Sequence, residues 1–527
     1  MDFDTIIIGS GFGGAITACR LAAKNQRVLI LERGREWNKD TYPSATNADW
    51  IWSQSRPEKY HGWLDLRGFN GMSVAQGAGV GGGSLVYANI SRVPPESTFR
   101  SGWPAEITAK ELAQYYAKVG EMLEVQPIPT QQWNPRVKLM QEAAQKLNQS
   151  NRFERLDLAV RFDPNLQYDS SDPPDIKKTT IELNIHGEQQ GKCVHLGECD
   201  IGCRAYAKNT LDKNYIPEAR KKGAQVRPLC LATNIEPVDG GYRVYYDELA
   251  TGTRVSGSST ATRVVIAAGS LGSTELLFRC RDVTRTLPNL SRRLGKNWSS
   301  NGDFLTPALH ALRNIWPDRG PTIGSAINYL DGSQASQTFW VQDGGIPNLF
   351  NKFFQDVRNR VQADPENHGL DDILGPASSL LQHFAHFAEN LDIFKHIMPW
   401  FSQGVDAGNG DLVFANGALN LNWDITASLS LFDEIARKHR ELAECTGGIP
   451  LPSPGWVLKK DLITPHPLGG CNMGKSVADG VVNHAGEVFG YPGLYVADGA
   501  IIPRALGVNP SRTIGALAER ISSLMNV

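Results

Sequence analysis

The spacing Gly9-x-Gly11-x-x-Gly14, inside Ile6-Ile7-Ile8-Gly9-Ser10-Gly11-Phe12-Gly13-Gly14, is where residue types first imply chemistry. Gly9 permits a tight turn, Gly11 lets backbone approach a pyrophosphate, and Gly14 lets a helix pack closely on a strand. A helix starting here presents free N–H groups and a partial positive charge to phosphates. Ser10 and Phe12 belong to the same turn. Glu32 follows at the distance where an acid accepts from ribose hydroxyls, with Arg33 beside it. These residues suit the adenosine-diphosphate end of a dinucleotide. The plainer alternative is a strand–helix turn that holds no ligand.

Cys193, Cys199 and Cys203 form the other cluster with chemical potential. Their spacing fits neither paired C-x-x-C zinc knuckles nor the common iron–sulfur runs. They are expected to be plain thiols in a turn-rich loop, with no metal site. Eight cysteines in 527 residues do not make a disulfide scaffold.

The elements around the glycine turn have the order this chemistry needs. Residues 4–8 predict a buried strand, 15–23 a helix and 28–31 a second strand, a βαβ unit. Residues 105–124 predict a helix with Leu112, Tyr115, Tyr116 and Val119 on one side. Residues 164–192 are polar and proline-containing, a surface connection. Strands are expected at 229–235, 242–247 and 264–269, then a helix through 274–279. Residues 376–404 place Leu380, Phe384, Phe387, Leu391, Phe394, Met398 and Phe401 at helical spacing. That stripe is most simply a core face. Its sharper reading is a lid or a surface in peripheral contact with a membrane.

The formal net charge of −2 argues against a nucleic-acid partner, which needs a basic face. The chain opens Met1-Asp2-Phe3-Asp4 and enters a strand at once, without a basic and apolar leader. The expectation from this is a cytoplasmic protein, with membrane association left to the aromatic stripe. No apolar run is long enough to span a bilayer.

Six segments carry a resemblance to a known family. They are IIIGSGFGGA, GAGVGGGSLVYANI (77–90), AKNTLDKNYIPEA (207–219), GKNWSSNGDF (295–304), HPLGGCNMG (466–474) and LYVADGAIIPRALGVNPSRTIGALAER (494–520). In them the chain resembles the glucose–methanol–choline oxidoreductases, most of all the bacterial cholesterol oxidase branch. The likeness spans both ends and thins between about 305 and 460. It implies an α/β fold: a discontinuous Rossmann-like FAD-binding domain (1–130, 193–304, 461–527) and a substrate-binding domain with antiparallel sheet and helices (131–192, 305–460).

The resemblance also implies roles. Gly77, Gly79, Gly82, Gly83 and Ser84 would wrap the pyrophosphate and approach the flavin ring. Asn234 would give adenine a backbone contact. Ala268 and Gly269 end the strand that closes the adenine side, and Asp498 and Gly499 face the ribityl and pyrophosphate region. His466 and Asn509 match the active-site histidine and asparagine, with Asn509 also at the flavin edge. Alcohol oxidation removes a hydride from carbon and a proton from oxygen. Imidazole suits the proton near neutral pH, an amide fixes the hydroxyl, and the flavin takes the hydride.

The implied activity is FAD-dependent oxidation of a bulky lipophilic alcohol, sterol-like or long-chain, with oxygen or another acceptor restoring the flavin. No histidine lies in 77–90, so the FAD is expected to be non-covalent. Two departures from the branch stand out. Tyr87 and Ala88 would change contacts beside the flavin. Gln342 stands where that branch has the glutamate that moves a steroid double bond, and an amide cannot shuttle a proton as a carboxylate does. Asp343 would substitute if the alignment slips by one. Two other functions are kept open: a light-driven fatty-acid decarboxylase, and a flavin-holding protein without turnover.

Overall fold

Strand Val28–Leu31 is apolar and buried along its length, and Phe3–Ile8 is buried on both faces but for Asp4, with Ile6, Ile7 and Ile8 in an unbroken apolar run, the mark of strands inside a parallel sheet. A computed structural model describes residues 1–42, 50–250, 252–348 and 391–525. In it the sheet has seven strands. Gln225–Arg227, Val28–Leu31, Phe3–Ile8 and the carboxyl half of Val255–Ile266 run parallel. Leu494–Val496 pairs in parallel with the same half of Val255–Ile266. Gly241–Glu248 and Cys230–Val238 extend the sheet antiparallel from its other half.

Helix Phe12–Ala23 crosses this sheet between helices Tyr215–Lys221 and Ser511–Leu524. Arg20 pairs with Glu519 at 2.6 Å, and the Tyr215 hydroxyl donates to the same carboxylate at 2.9 Å. The last helix of the chain is thereby tied to the first.

The helix expected at 105–124 begins at Ala109, because the Thr108 side chain accepts from the Glu111 N–H at 3.1 Å and caps it. Leu112, Tyr115, Tyr116 and Val119 are its buried face, as the spacing predicts. The strand expected from 229 starts at Cys230, since Leu229 turns with φ of 55°. The strand expected at 264–269 ends at Ile266 and begins far earlier, at Val255, where polar residues pair with Gly241–Glu248. The helix expected at 274–279 already starts at Gly269. Residues 164–192 hold only short turns and a two-residue ladder, with Leu183 and Ile185 exposed.

A second sheet of six strands is antiparallel throughout. Its order is Ile449–Pro450, Phe304–Leu309, Ile397–Gly404, Gln337–Asp343, Ser325–Gln334 and Phe153–Arg155. Helix Leu429–Cys445 packs on one face. The helical stripe expected over 376–404 is corrected here. Its segment 376–390 lies outside the described residues, Leu391–Phe394 is helical, and Ile397–Gly404 is a strand. Strand alternation sends Met398, Trp400 and Ser402 one way and Pro399, Phe401 and Gln403 the other. Ser402 meets His439 of the helix at 2.7 Å, whereas Phe401 faces a cavity. Met398 and Phe401 therefore lie on opposite faces, not on one stripe.

Candidate active site

Ile8, Leu31, Ile266 and Val496 sit level in the parallel ladder. The residues after them, Gly9, Glu32, Ala267 and Ala497, therefore meet at one edge. This is the carboxyl edge, where open α/β sheets bind ligands. The turn there admits little but glycine. Gly9 has φ of 99°, and a Cβ on it would lie 2.3 Å from the Ala267 carbonyl. A Cβ on Gly13 would lie 1.5 Å from the Ala497 carbonyl, and one on Gly14 2.0 Å from that of Gly9. Gly14 thus packs helix on strand and does not line the cavity.

A single cavity of about 580 Å³ runs along this edge. Gly9, Ser10, Gly11 and Phe12 line it, as do Glu32 and Arg33. Glu32 is organised by its neighbours. It accepts from the Ser10 N–H (3.0 Å) and hydroxyl (2.6 Å) and from the Gly34 N–H (2.9 Å). Arg33 pairs with buried Asp65 at 2.8 Å and lies 4.1 Å over the Trp52 ring.

The second glycine segment folds onto the first. Gly77, Gly82 and Gly83 line the cavity, and a Cβ on Gly82 would lie 2.5 Å from Gly11 Cα. Gly79 and Ser84, expected at the cofactor, stand behind this wall instead. The carbonyl of Gly79 faces the Ser10 hydroxyl at 3.3 Å, and the Ser84 hydroxyl donates to Gly81 and accepts from the Leu211 N–H. They brace the loop because their polar atoms are used within the protein. Asn234 is likewise displaced. A bulge between Ala232 and Asn234 makes Ala232 and Thr233 the wall, and the Asn234 side chain accepts from Thr284 and Thr286 at 2.8 Å each.

Ala268, Gly269, Asp498 and Gly499 close the same edge. Asp498 accepts from the Gly269 N–H at 2.8 Å, the Ser273 hydroxyl at 2.5 Å and the Ala500 N–H at 2.8 Å. Tyr87 and Ala88 also line the cavity. The Tyr87 hydroxyl donates to the Asn209 carbonyl at 2.9 Å, and its ring meets Phe12 edge-on.

At the other end stand His466 and Asn509. The Asn509 amide N–H faces His466 Nε2 at 3.3 Å. His466 Nδ1 lies 2.9 and 3.0 Å from the two carboxylate oxygens of Asp303, which is fully buried. Thr464 donates to that carboxylate at 2.6 Å and accepts from the His466 N–H at 2.9 Å. Burial pushes the Asp303 carboxyl up, against the pull of His466 and Thr464. Gln403 is at Nδ1 too, at 3.2 Å, its amide fixed by Trp340 donating to its oxygen at 2.8 Å. Gln403 presents its amide N–H there, so the Asp303 carboxylate is the acceptor at Nδ1; Nδ1 carries its proton toward Asp303 and Nε2 is left to accept. Asp303 matches none of the residues expected at the site from the sequence. The signal was its place in GKNWSSNGDF.

Gln342 belongs to this constellation through Asn509. Its Nε2 donates to the Asn509 oxygen at 2.9 Å, and its own Oε1 is buried without a partner. The one-residue slip that would have put Asp343 here is excluded by strand alternation. Asp343 points to the opposite face, accepts from the Gly324 N–H and from Ser325, and lies 4.0 Å from buried Arg136. Burial raises its carboxyl to about 6.

Cys193, Cys199 and Cys203 are free thiols, and the first two are buried. Among the described residues no cluster of histidine, cysteine and carboxylate is placed to hold a metal ion, and no helix is long and apolar enough to cross a membrane. His310 bonds Thr446, and the His484 carbonyl accepts from Arg520, so neither joins the site.

A glycine turn at the carboxyl edge of a parallel sheet, sharing its cavity with a histidine–asparagine pair, defines a dinucleotide-dependent oxidoreductase. Comparison with known proteins narrows the class. Residues 428–518 match the family model described as GMC oxidoreductase, and residues 7–37 that of an NAD(P)-binding Rossmann-like domain. A cholesterol oxidase of Acinetobacter baumannii is 30% identical over 99% of this chain and 94% of its own length. One from Mycobacterium tuberculosis is 32% identical, over 99% and 91%. A long-chain-alcohol oxidase of Arabidopsis thaliana is 22% identical, over 99% and 67%. Among solved structures, pyridoxine 4-oxidase from Mesorbium loti has the same fold, with a TM-score of 0.65 at 16% identity over 99% and 98% of the two chains. The chain belongs to the GMC oxidoreductase family, and is an FAD-dependent alcohol oxidase or dehydrogenase.

Proposed function

We propose that this enzyme oxidises the hydroxyl of a bulky lipophilic alcohol, sterol-like or long-chain, using non-covalent FAD, and returns the electrons to oxygen or another acceptor. The observation that carries this reading is the His466–Asn509 pair at the end of an apolar-walled cavity. Ile90, Leu305, Ile323, Ile346, Phe401 and Ile463 supply that wall. The paired glycine turns, Glu32 and Asp498 suit the nucleotide half of FAD. Bound FAD supplies the two-electron acceptor.

The protein's own part is proton chemistry and positioning. A hydroxyl that displaces the direct contact between the Asn509 N–H and His466 Nε2 accepts from the amide and gives its proton to the imidazole. Asp303 holds the ring in the tautomer whose Nε2 is free and offsets the charge the ring gains. Gln342 fixes the amide orientation of Asn509. The strand carrying Gln342 presents no carboxylate to the cavity, so the reading does not include steroid isomerisation by that strand.

The test is anaerobic flavin bleaching against sterols, long-chain alcohols and sugars, followed by air. Bleaching by the lipophilic alcohols and recovery in air with peroxide support an oxidase. Recovery only with an added acceptor supports a dehydrogenase. Bleaching by sugars alone, or by nothing, overturns the reading.

A further inference from the structure

Asp200 is a carboxylate on the cavity wall with no part in the chemistry above. Asp200 lies in the loop that carries Cys193, Cys199 and Cys203. It is half-buried and lines the same cavity as His466 and Asn509. Thr322 lines it as well, is 4% exposed, and its buried hydroxyl lies beside the Asp200 carboxylate. Ile323 and Ile346 line the same cavity. Lys208 does not use up the carboxylate, for its ammonium donates to the carbonyls of Leu85 (2.9 Å) and Cys199 (2.5 Å).

We propose that Asp200 and Thr322 form a second polar subsite that binds another hydroxyl on the alcohol substrate, away from the one that is oxidised. The inference rests on reading the cavity as an alcohol site and deepens it. Two polar poles in an apolar cavity select a lipophilic molecule with two hydroxyls over one with a single hydroxyl. A site built to hydrogen-bond a hydroxyl discriminates strongly against the analogue that lacks it, because its own polar groups are then left unpaired. The state of the carboxyl suits a hydroxyl ligand. Burial raises Asp200 to about 7, against the pull of Lys208, Arg136, His466 and the Thr322 hydroxyl. A carboxyl that is part-protonated at neutral pH both accepts and donates.

The test uses the FAD-loaded enzyme and matched pairs: straight-chain primary alcohols of increasing length against their α,ω-diols, and a monohydroxy sterol against its side-chain-hydroxylated counterpart. KM from bleaching is read in the wild type. The dissociation constant from the flavin absorption change is read in His466→Ala. The subsite predicts that at a matching length the dihydroxy member binds about tenfold more tightly, beyond the statistical advantage of two ends. Asp200→Ala and Thr322→Val each bring the ratio toward one, and Asp200→Asn keeps most of it, because an amide also accepts and donates. A ratio near one for every pair, or one that survives both truncations, overturns the subsite, as does failure of every dihydroxy probe to bind. Bleaching without the preference sinks the subsite and leaves the proposed function standing. The preference in binding without any bleaching does the reverse.

Discussion

Asp303 decides what His466 can do. A neutral imidazole has one donor and one acceptor nitrogen, and the partner at Nδ1 chooses which is which. With a buried carboxylate at 2.9 Å from Nδ1, the accepting nitrogen is Nε2, the one that faces Asn509. Asp303→Asn keeps the size and removes the charge. It is expected to slow flavin reduction by roughly 10²-fold or more while the protein stays yellow. Stopped-flow bleaching checks it, and an unchanged rate would make Asp303 a packing residue. His466 and Asn509 were legible from the segments around them. Asp303 was not, because an aspartate after Asn-Gly has the look of a turn former, and the buried contact with His466 spans 163 positions. Asp200 was hidden for a similar reason. It sits among three cysteines that drew the question of a metal, and no spacing rule connects it to Thr322.

Between the paired glycine turns the elements leave almost no room. The first turn was readable as to Gly9 at the turn and Gly14 where helix packs on strand, since a strand, a tight turn and a helix are local features. The second was readable only as a glycine-rich run. Which of its residues face the cavity depends on how 77–86 folds over Gly11, a long-range matter, and so Gly79 and Ser84 were placed at the cofactor when they brace the loop. Gly82 is the point of contact. Gly82→Ala would put a methyl 2.5 Å from Gly11 Cα at a φ of 53°, forcing the turns apart. The expected result is a folded protein with flavin content lowered several-fold, measured as the visible-to-ultraviolet absorbance ratio beside a thermal melt. Full flavin loading would show that the two turns do not clamp one ligand. The strand Ile397–Gly404 teaches the opposite lesson. Met398 and Phe401 fit a helical repeat, yet pairing with Phe304–Leu309 and Gln337–Asp343 satisfies both backbone edges and overrides the three-residue spacing.

At the scale of the whole molecule, buried titratable groups set opposite pH dependences in the two halves of the substrate-side packing. His439 is fully buried against Ser402, and burial lowers its imidazole to about 3. The unfolded chain therefore binds a proton below about pH 6.5 that the folded chain refuses. Its contribution is present above that pH and is lost as pH falls, by up to about 1.4 kcal/mol per pH unit. Asp343 runs the other way. Its carboxyl is raised to about 6, so the folded state holds the proton more tightly, and its contribution is present at low pH and lost as pH rises through 6. Melting curves across pH 4 to 7 should show wild type losing ground to His439→Gln as pH falls, and gaining on Asp343→Asn over the same descent. Parallel curves would contradict both assignments. The division into two sheets was legible in outline, because apolar strands ending in glycine turns mark the first and sit near both ends of the chain. The second is built from antiparallel pairs across long loops, where order is set by packing and no local signal records it.

In the proposed reaction His466 takes the proton of an alcohol bound beside Asn509. The most direct test compares anaerobic flavin bleaching by a lipophilic alcohol in wild type and in His466→Ala, at matched flavin content. The variant is expected to stay yellow and to be bleached about 10²- to 10⁴-fold more slowly. Equal rates in the two proteins would contradict it.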